Sequence, residues 1–337
     1  MIKLKFSGAN RSSLGKSNFP DFKILLTNGV RILENFFSSL KTVMHQNIHI
    51  INLLAAAILI LQGNSLSAQS SADNLRIISL APHITEIIYK LKADQFLIGR
   101  TEFCNYPSAA KNIESVGGYL NIDFEKIVAL KPDLIFQFPN TENQRKLEGL
   151  GFRVISVPNE TIADILGSIK TIGEALNLVD EAERLMTDIE DTLQLVSKSE
   201  SQRKHQVAAL LVIGRQQGSL SNLYLAGPPT YISELWSLCG GVNAFPEVTY
   251  RYFPVNAEDI ITRKIDAILE FHPDWRLDPE QLDAEKKVWA HIFPSQIFNE
   301  ERVQILSQQF FVIPGPRITR IAIEFSNLVE SFVGEIE

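Results

Sequence analysis

Cysteine is scarce: Cys104 and Cys239 are the only two among 337 residues. Two thiols cannot build the disulfide framework of a small secreted domain, and without a Cys-x-x-Cys pair they do not form a zinc site. Basic charge is also in deficit. Thirty-two Lys and Arg stand against 39 Asp and Glu, a formal net charge of -7, which repels a phosphate backbone and excludes a general nucleic-acid binder. Glycine and proline are few, at 18 and 15, so collagen-like and low-complexity structure are excluded. Nor does any apolar run reach the ~20 residues that a spanning helix needs.

The longest such run, Ile50 to Leu61, is broken once by Asn52 and has the length of a signal-peptide core. Small and polar residues follow it, with a cleavage site after Ala68. Residues 1–68 therefore read as a leader, with Met44 as a candidate start. The leader carries seven basic and two acidic side chains, so the remaining chain carries about -12. No cysteine near the site offers the thiol for a lipid anchor. The expectation is a soluble periplasmic monomer.

What is present is a globular composition, 45% hydrophobic, in a chain long enough for two cores, since single cores seldom grow past ~250 residues. From Leu75, β-branched runs alternate with helical periods, the pattern of α/β layers. Arg76 to Leu80, Phe96 to Gly99, Leu134 to Phe136 and Val154 to Val157 read as strands, with Thr85 capping the first helix. From Ile162 to Val196 the strand signal is absent, and Val179, Ala182, Leu185, Met186, Ile189 and Leu193 form the apolar stripe of a long helix. Val207 to Ile213 then opens a second α/β region. The predicted organisation is a lobe over 74–160, a connecting helix over 161–198 and a second lobe over 204–337.

The second lobe repeats part of the first at an offset of 133 residues. Tyr119, Glu125, Ile127, Lys131, Asp133 and Ile135 match Tyr252, Glu258, Ile260, Lys264, Asp266 and Ile268 without a gap. Asp123 and Asn256 read as helix N-caps, with Glu125 and Glu258 in the first turns that follow, where the helix dipole alone favours a carboxylate. In equivalent places on two lobes, the pair also reads as acidic knobs for a basic partner. Tyr119 and Tyr252 sit in loops ahead of those helices. Each either packs on its own lobe or, with the lobes facing, walls a shared cleft.

Several stretches together resemble a known family. They are Arg76-Ile77-Ile78-Ser79-Leu80-Ala81-Pro82-His83-Ile84-Thr85-Glu86, Phe103-Cys104-Asn105-Tyr106-Pro107, Val116-Gly117-Gly118-Tyr119-Leu120-Asn121 and the run from Glu125 to Leu134. With Leu238-Cys239-Gly240-Gly241-Val242-Asn243 and Pro314-Gly315-Pro316-Arg317, they are similar to the periplasmic binding proteins of ABC importers that carry cobalamin, iron-siderophores and haem, the cobalamin binders above all. The resemblance covers essentially Leu75 to Glu337. It implies two Rossmann-like α/β lobes joined by a single long rigid helix, modest hinge movement, and no enzymatic activity. It also implies a corrinoid, cobalamin, as ligand rather than any intrinsic cofactor or protein-held metal. The matching ligand-binding positions are Phe103, Tyr119, Phe138, Tyr224 and Tyr252. Glu125 and Glu258 match the glutamates that dock on the permease dimer. Tyr119 and Tyr252 stand where the best-known cobalamin binder has tryptophan. The partner that such a binder gives the cysteine of its Cys-Gly-Gly motif is missing from Arg317 to Glu337, so thiols are expected at Cys104 and Cys239.

Other readings compete. A haem protein wants an axial Tyr or His and cations for propionates, and an anionic siderophore wants clustered cations; Arg100, Arg215, Arg251 and Arg317 are the candidates. An exported metal-dependent hydrolase finds little support. His83, His205, His272 and His291 lack paired ligand spacing, His-Glu-x-x-His and Gly-x-Ser-x-Gly are absent, and Gly214 to Gly218 reads as a turn rather than a dinucleotide loop. His83 reads as a helix-start histidine bonded locally. Glu270 and Asp274 read as solvated acids.

Overall fold

The computed structural model describes residues 34–39, 41, 75–200, 206–293 and 300–334. The chain divides into two compact units, Met1–Asp73 and Asn74–Glu337. In the first, residues 34–39 and 41 are exposed helix; the export core, the Ala68 site, and likewise His205 lie outside the described residues. Among the described residues no helix is long and apolar enough to cross a membrane.

The unit from Asn74 onward is built on two sheets. The first lobe has four parallel strands, β1 (Ile77–Ser79), β2 (Leu97–Arg100), β3 (Leu134–Gln137) and β4 (Val154–Ser156), in the order β2-β1-β3-β4. Parallel strands covered on both faces need continuous apolar runs. Ile77 and Phe136 accordingly bury one face in the largest core cluster, while Ile78 and Ile135 bury the other against Ile127 and Leu147. Helix α1 (Pro82–Lys90) starts three residues before the expected Thr85 cap, because Pro82 presets the first-turn φ. Thr85 is inside the helix and donates its hydroxyl to Ser79 Oγ at 2.8 Å. Helices α2 (Phe124–Leu130) and α3 (Thr141–Gly149) complete the lobe.

The span from Ile162 to Val196 is two helices rather than one. Helix α4 (Ile162–Ala175) opens with a capping box between Thr161 and Asp164. It ends in a Schellman motif: Asn177 is left-handed at φ 57°, Leu178 N–H reaches Gly173 O at 2.8 Å, and Asn177 N–H reaches Glu174 O at 3.2 Å. The chain then reverses into helix α5 (Val179–Glu200), the single long helix that joins the lobes. Gly173 lets the two helices meet, since a Cβ there would strike Ala182. The apolar stripe spans the turn, which is why periodicity alone does not show the break.

The second lobe carries β5 (Val207–Gly214), β6 (Tyr224–Ala226), β7 (Gly241–Asn243), β8 (Tyr252–Pro254), β9 (Ala267–Phe271) and β10 (Val303–Leu306). The sheet order is β10-β9-β5-β6-β8, with β7 also on β5; β6 runs antiparallel to β5 and β8, and the other pairs are parallel. Helices α6 (Tyr231–Leu238), α7 (Ala257–Ile261), α8 (Pro279–Lys287) and α9 (Ile318–Gly334) pack around it.

The sequence repeat is a structural one. Asp133 Oδ2 accepts from Arg76 N–H at 2.8 Å while Asp133 N–H returns to Arg76 O at 2.9 Å. In the second lobe Asp266 Oδ2 accepts from Ala208 N–H at 2.9 Å and Asp266 N–H returns to Ala208 O at 2.7 Å. Each Asp thus latches the strand it introduces to the lobe's central strand. The repeats differ in detail: Tyr119 lies in a loop as expected, whereas Tyr252 lies in a strand, not a loop.

Candidate functional site

Ligands of α/β sheets gather where the strands point their carboxyl ends, and both lobes obey this rule. In the first lobe, Leu80 to His83 follow β1, Thr101 and Phe103 follow β2, Phe138 follows β3, and Asn159 and Glu160 follow β4. With Tyr119, these residues line a recess of about 340 Å³. In the second lobe, Ile213 ends β5, Phe271 to Trp275 end β9, and Tyr231, Ile232 and Tyr252 complete a recess of about 460 Å³. Asn159, Glu160, Val312 and Pro314 line both. The two recesses therefore meet as one cleft between the lobes.

Four of the five expected ligand-binding residues are brought together there. Tyr119 stacks on Phe138 with ring centroids 4.6 Å apart, and Phe103 stands beside them, 54% exposed. Tyr252 faces them from the other lobe, so the matched tyrosines share one cleft. Burial raises the Tyr252 phenol, and the charge of Glu160 raises it further. Burial also raises the Tyr231 phenol well above its ordinary value, and its hydroxyl donates to Phe311 O at 3.0 Å. Tyr224 does not join the lining. It pairs with Pro254 two positions beyond the Ala226–Tyr252 pair, on the same sheet face as Tyr252 but half-exposed.

Three of the four arginines considered for an anion site are already engaged. Arg100 donates to the carbonyls of Ala110, Thr101 and Lys111 at 2.9 to 3.1 Å. Arg215 pairs with Glu270 at 2.7 Å and Glu285 at 2.8 Å. Arg317 makes a bidentate pair with Glu86 at 2.6 and 2.8 Å. Arg251 is exposed and lines neither recess. Among the described residues no Lys or Arg lines the cleft; its formal charges are those of Glu160 and Asp274.

One acid and one histidine depart from their sequence reading. Asp274 is exposed, but Glu270 is not a solvated acid. It sits within β9 at 0% exposure, with Arg215, His272 Nε2 at 2.8 Å and Trp289 Nε1 at 2.6 Å around its carboxylate. Burial alone would raise its pKa, yet the bonds from His272, Arg215 and Trp289 hold it below the usual carboxylate value. His83 is 2% exposed and its Nε2 has no partner, contrary to a locally bonded histidine, and burial lowers its pKa to about 3. Gly315 of the second lobe presses against it, since a Cβ there would lie 3.2 Å from His83 Cβ.

Glu125 and Glu258 stand exposed in the first turns of α2 and α7. Asp123 caps α2 by accepting from Lys126 N–H at 2.9 Å, and Asp259 accepts from Asn256 N–H at 3.1 Å at the start of α7. The expectations missed Glu160, Tyr231 and Trp275. Their position just after a strand or at a helix start was the available signal. Among the described residues no group of three or more His, Cys, Asp or Glu is placed to hold a metal.

Two α/β lobes, one long connecting helix and an aromatic cleft between them define a bilobal solute-binding architecture. The chain belongs to the periplasmic binding protein family, whose model matches residues 77–288. It is 31% identical over 212 residues to a vitamin B12-binding protein of Pectobacterium atrosepticum, covering 62% of this chain and 76% of that one. Its fold is similar to that of the periplasmic vitamin B12 binding protein BtuF of Vibrio cholerae, with a TM-score of 0.64 at 23% identity over 77% of this chain and 98% of that one. Staphylococcus aureus IsdE, solved with haem, gives 0.63 at 18% identity over 76% and 99%.

Proposed function

We propose that the chain is the substrate-binding component of an ABC importer, acting in the periplasm after removal of the leader, and that its ligand is a corrinoid, cobalamin. The observation that carries this reading is the charge of the cleft: aromatic rings and two carboxylates, with no lining Lys or Arg among the described residues. A corrinoid is a broad macrocycle with a rim of amide N–H donors and no carboxylates. Tyr119, Phe138 and Phe103 suit its apolar surface, and Glu160 and Asp274 accept from its amides. Haem propionates or a catecholate siderophore placed there meet like charge instead. The relatives named for vitamin B12 support the same choice. The reading is of binding and release, not catalysis.

Titration of the full chain tests it. Cyanocobalamin is expected to bind one-to-one with micromolar or tighter affinity, and hemin to bind at least about tenfold more weakly. A Soret shift with hemin and no heat with cyanocobalamin overturns the reading. For delivery, Glu125 and Glu258 set the register on basic pockets of the permease. Reversing both to Lys is expected to abolish uptake while leaving ligand affinity unchanged; lost affinity refutes the docking role.

A further inference from the structure

Trp275 is held in a way that no packing need explains. The other two tryptophans, Trp236 and Trp289, are fully buried, whereas Trp275 is part-exposed at the edge of the second-lobe recess. Its ring lies flat on the imidazole of His272, centroids 3.7 Å apart and planes 3° apart. The Arg215 guanidinium stands 4.8 Å from the indole centroid. His272 and Arg215 both bond the Glu270 carboxylate, so one buried anion fixes both groups that pack on the indole, while the part-exposed ring lines the recess. The turn beneath is also fixed: Trp275 N–H reaches His272 O at 3.2 Å, and Arg276 braces the Pro273 carbonyl at 2.7 Å.

Burying these charges costs several kcal/mol of desolvation per ion before pairing offsets it. A ring fixed in advance loses little freedom when something settles on it. We infer that Trp275 is a ligand-stacking platform for a flat macrocyclic chelate, with His272, Glu270 and Arg215 as positioning residues. This inference rests on the cleft being the ligand site proposed above, and it adds the ring that selects for flatness on the second lobe. Asp274, next in the chain, and Glu160 across the recess restrict the guest to one that lacks negative charge on that side.

Calorimetry of the full chain with cyanocobalamin tests the platform. Trp275→Ala is expected to weaken binding by about tenfold or more, the scale of stacking on an aromatic ring, with the melting temperature of the unliganded protein unchanged. Trp275→Phe is expected to recover most of the affinity. His272→Ala is expected to weaken binding in the native background but to add nothing to Trp275→Ala, the coupling that a positioning role requires and a purely structural one does not. Affinity within twofold of native in Trp275→Ala overturns the assignment. Should the native chain bind hemin and not cyanocobalamin, the corrinoid reading fails by itself. The platform is then decided by Trp275→Ala against hemin: a tenfold loss upholds it and a loss under twofold overturns it.

Discussion

The two lobes share one plan and reach stability by different chemistry. The first closes its sheet with apolar packing, Ile78, Ile135, Ile127 and Leu147 on one face and Ile77 and Phe136 on the other. Its cleft wall, Tyr119 on Phe138, is left open to solvent. The second buries an ionic network at the end of β9 and mounts its cleft ring on it. Duplication therefore conserves the latch between strands, Asp133 or Asp266, but not the way an aromatic ring is supported at the strand ends. A ring leaning on another ring adapts; a ring backed by a pinned imidazole does not.

The comparison breaks most visibly at Glu270. Glu270→Ala leaves the buried Arg215 with Glu285 alone and takes the acceptor from His272 and Trp289, and is expected to cost about 3 kcal/mol in chemical unfolding; a loss under about 1 kcal/mol contradicts the contrast between lobes. Acid probes the seam between them. His83 has a folded pKa of about 3, below the ordinary 6.5. In that window the unfolded chain takes up a proton that the folded chain refuses. The contribution of His83 is thus complete above pH 6.5 and declines as pH falls toward 3, by up to about 1.4 kcal/mol per pH unit. Stability curves of native protein and His83→Gln should diverge below pH 6; parallel curves dismiss the buried neutral imidazole.

At the open wall, Tyr119→Ala is expected to lower cyanocobalamin affinity about tenfold with little change in stability, as followed by calorimetry and melting. An unfolded variant would mean that the ring pair is core rather than cleft. The smallest and sharpest comparison is between Asp133→Ala and Asp266→Ala. Each removes one strand latch and is expected to cost about 1 kcal/mol, the two values agreeing within about half that. A large disparity in denaturant midpoints would set the lobes apart even in what they share by sequence.

Much of this was legible in the chain. Strand runs such as Leu134 to Phe136 and Val207 to Ile213 needed only β-branched and apolar residues between turn signals, and the observed strands overlap them. The 133-residue repeat foretold paired caps and paired glutamates because local hydrogen bonds demand the same residue types wherever the motif occurs. The break at Asn177 was not seen because an apolar stripe can continue through a turn when both helices pack on the same core. Glu270 was misread because its partners Arg215 and Trp289 are 55 and 19 positions away, and a charge whose cation is met only in three dimensions looks solvated in one. Trp275 was missed for a related reason: its value lies in what stands behind it, not in its neighbours along the chain.

The bidentate pair between Glu86 and Arg317 joins residues 231 positions apart. Glu86 is 2% exposed, and burial raises its pKa despite the guanidinium, so its helix carries an unanswered carboxylate until Arg317 arrives. The opening helix of the first lobe is therefore neutralised by a residue from the far end of the chain, and Arg317→Ala would leave a buried carboxylate without its cation.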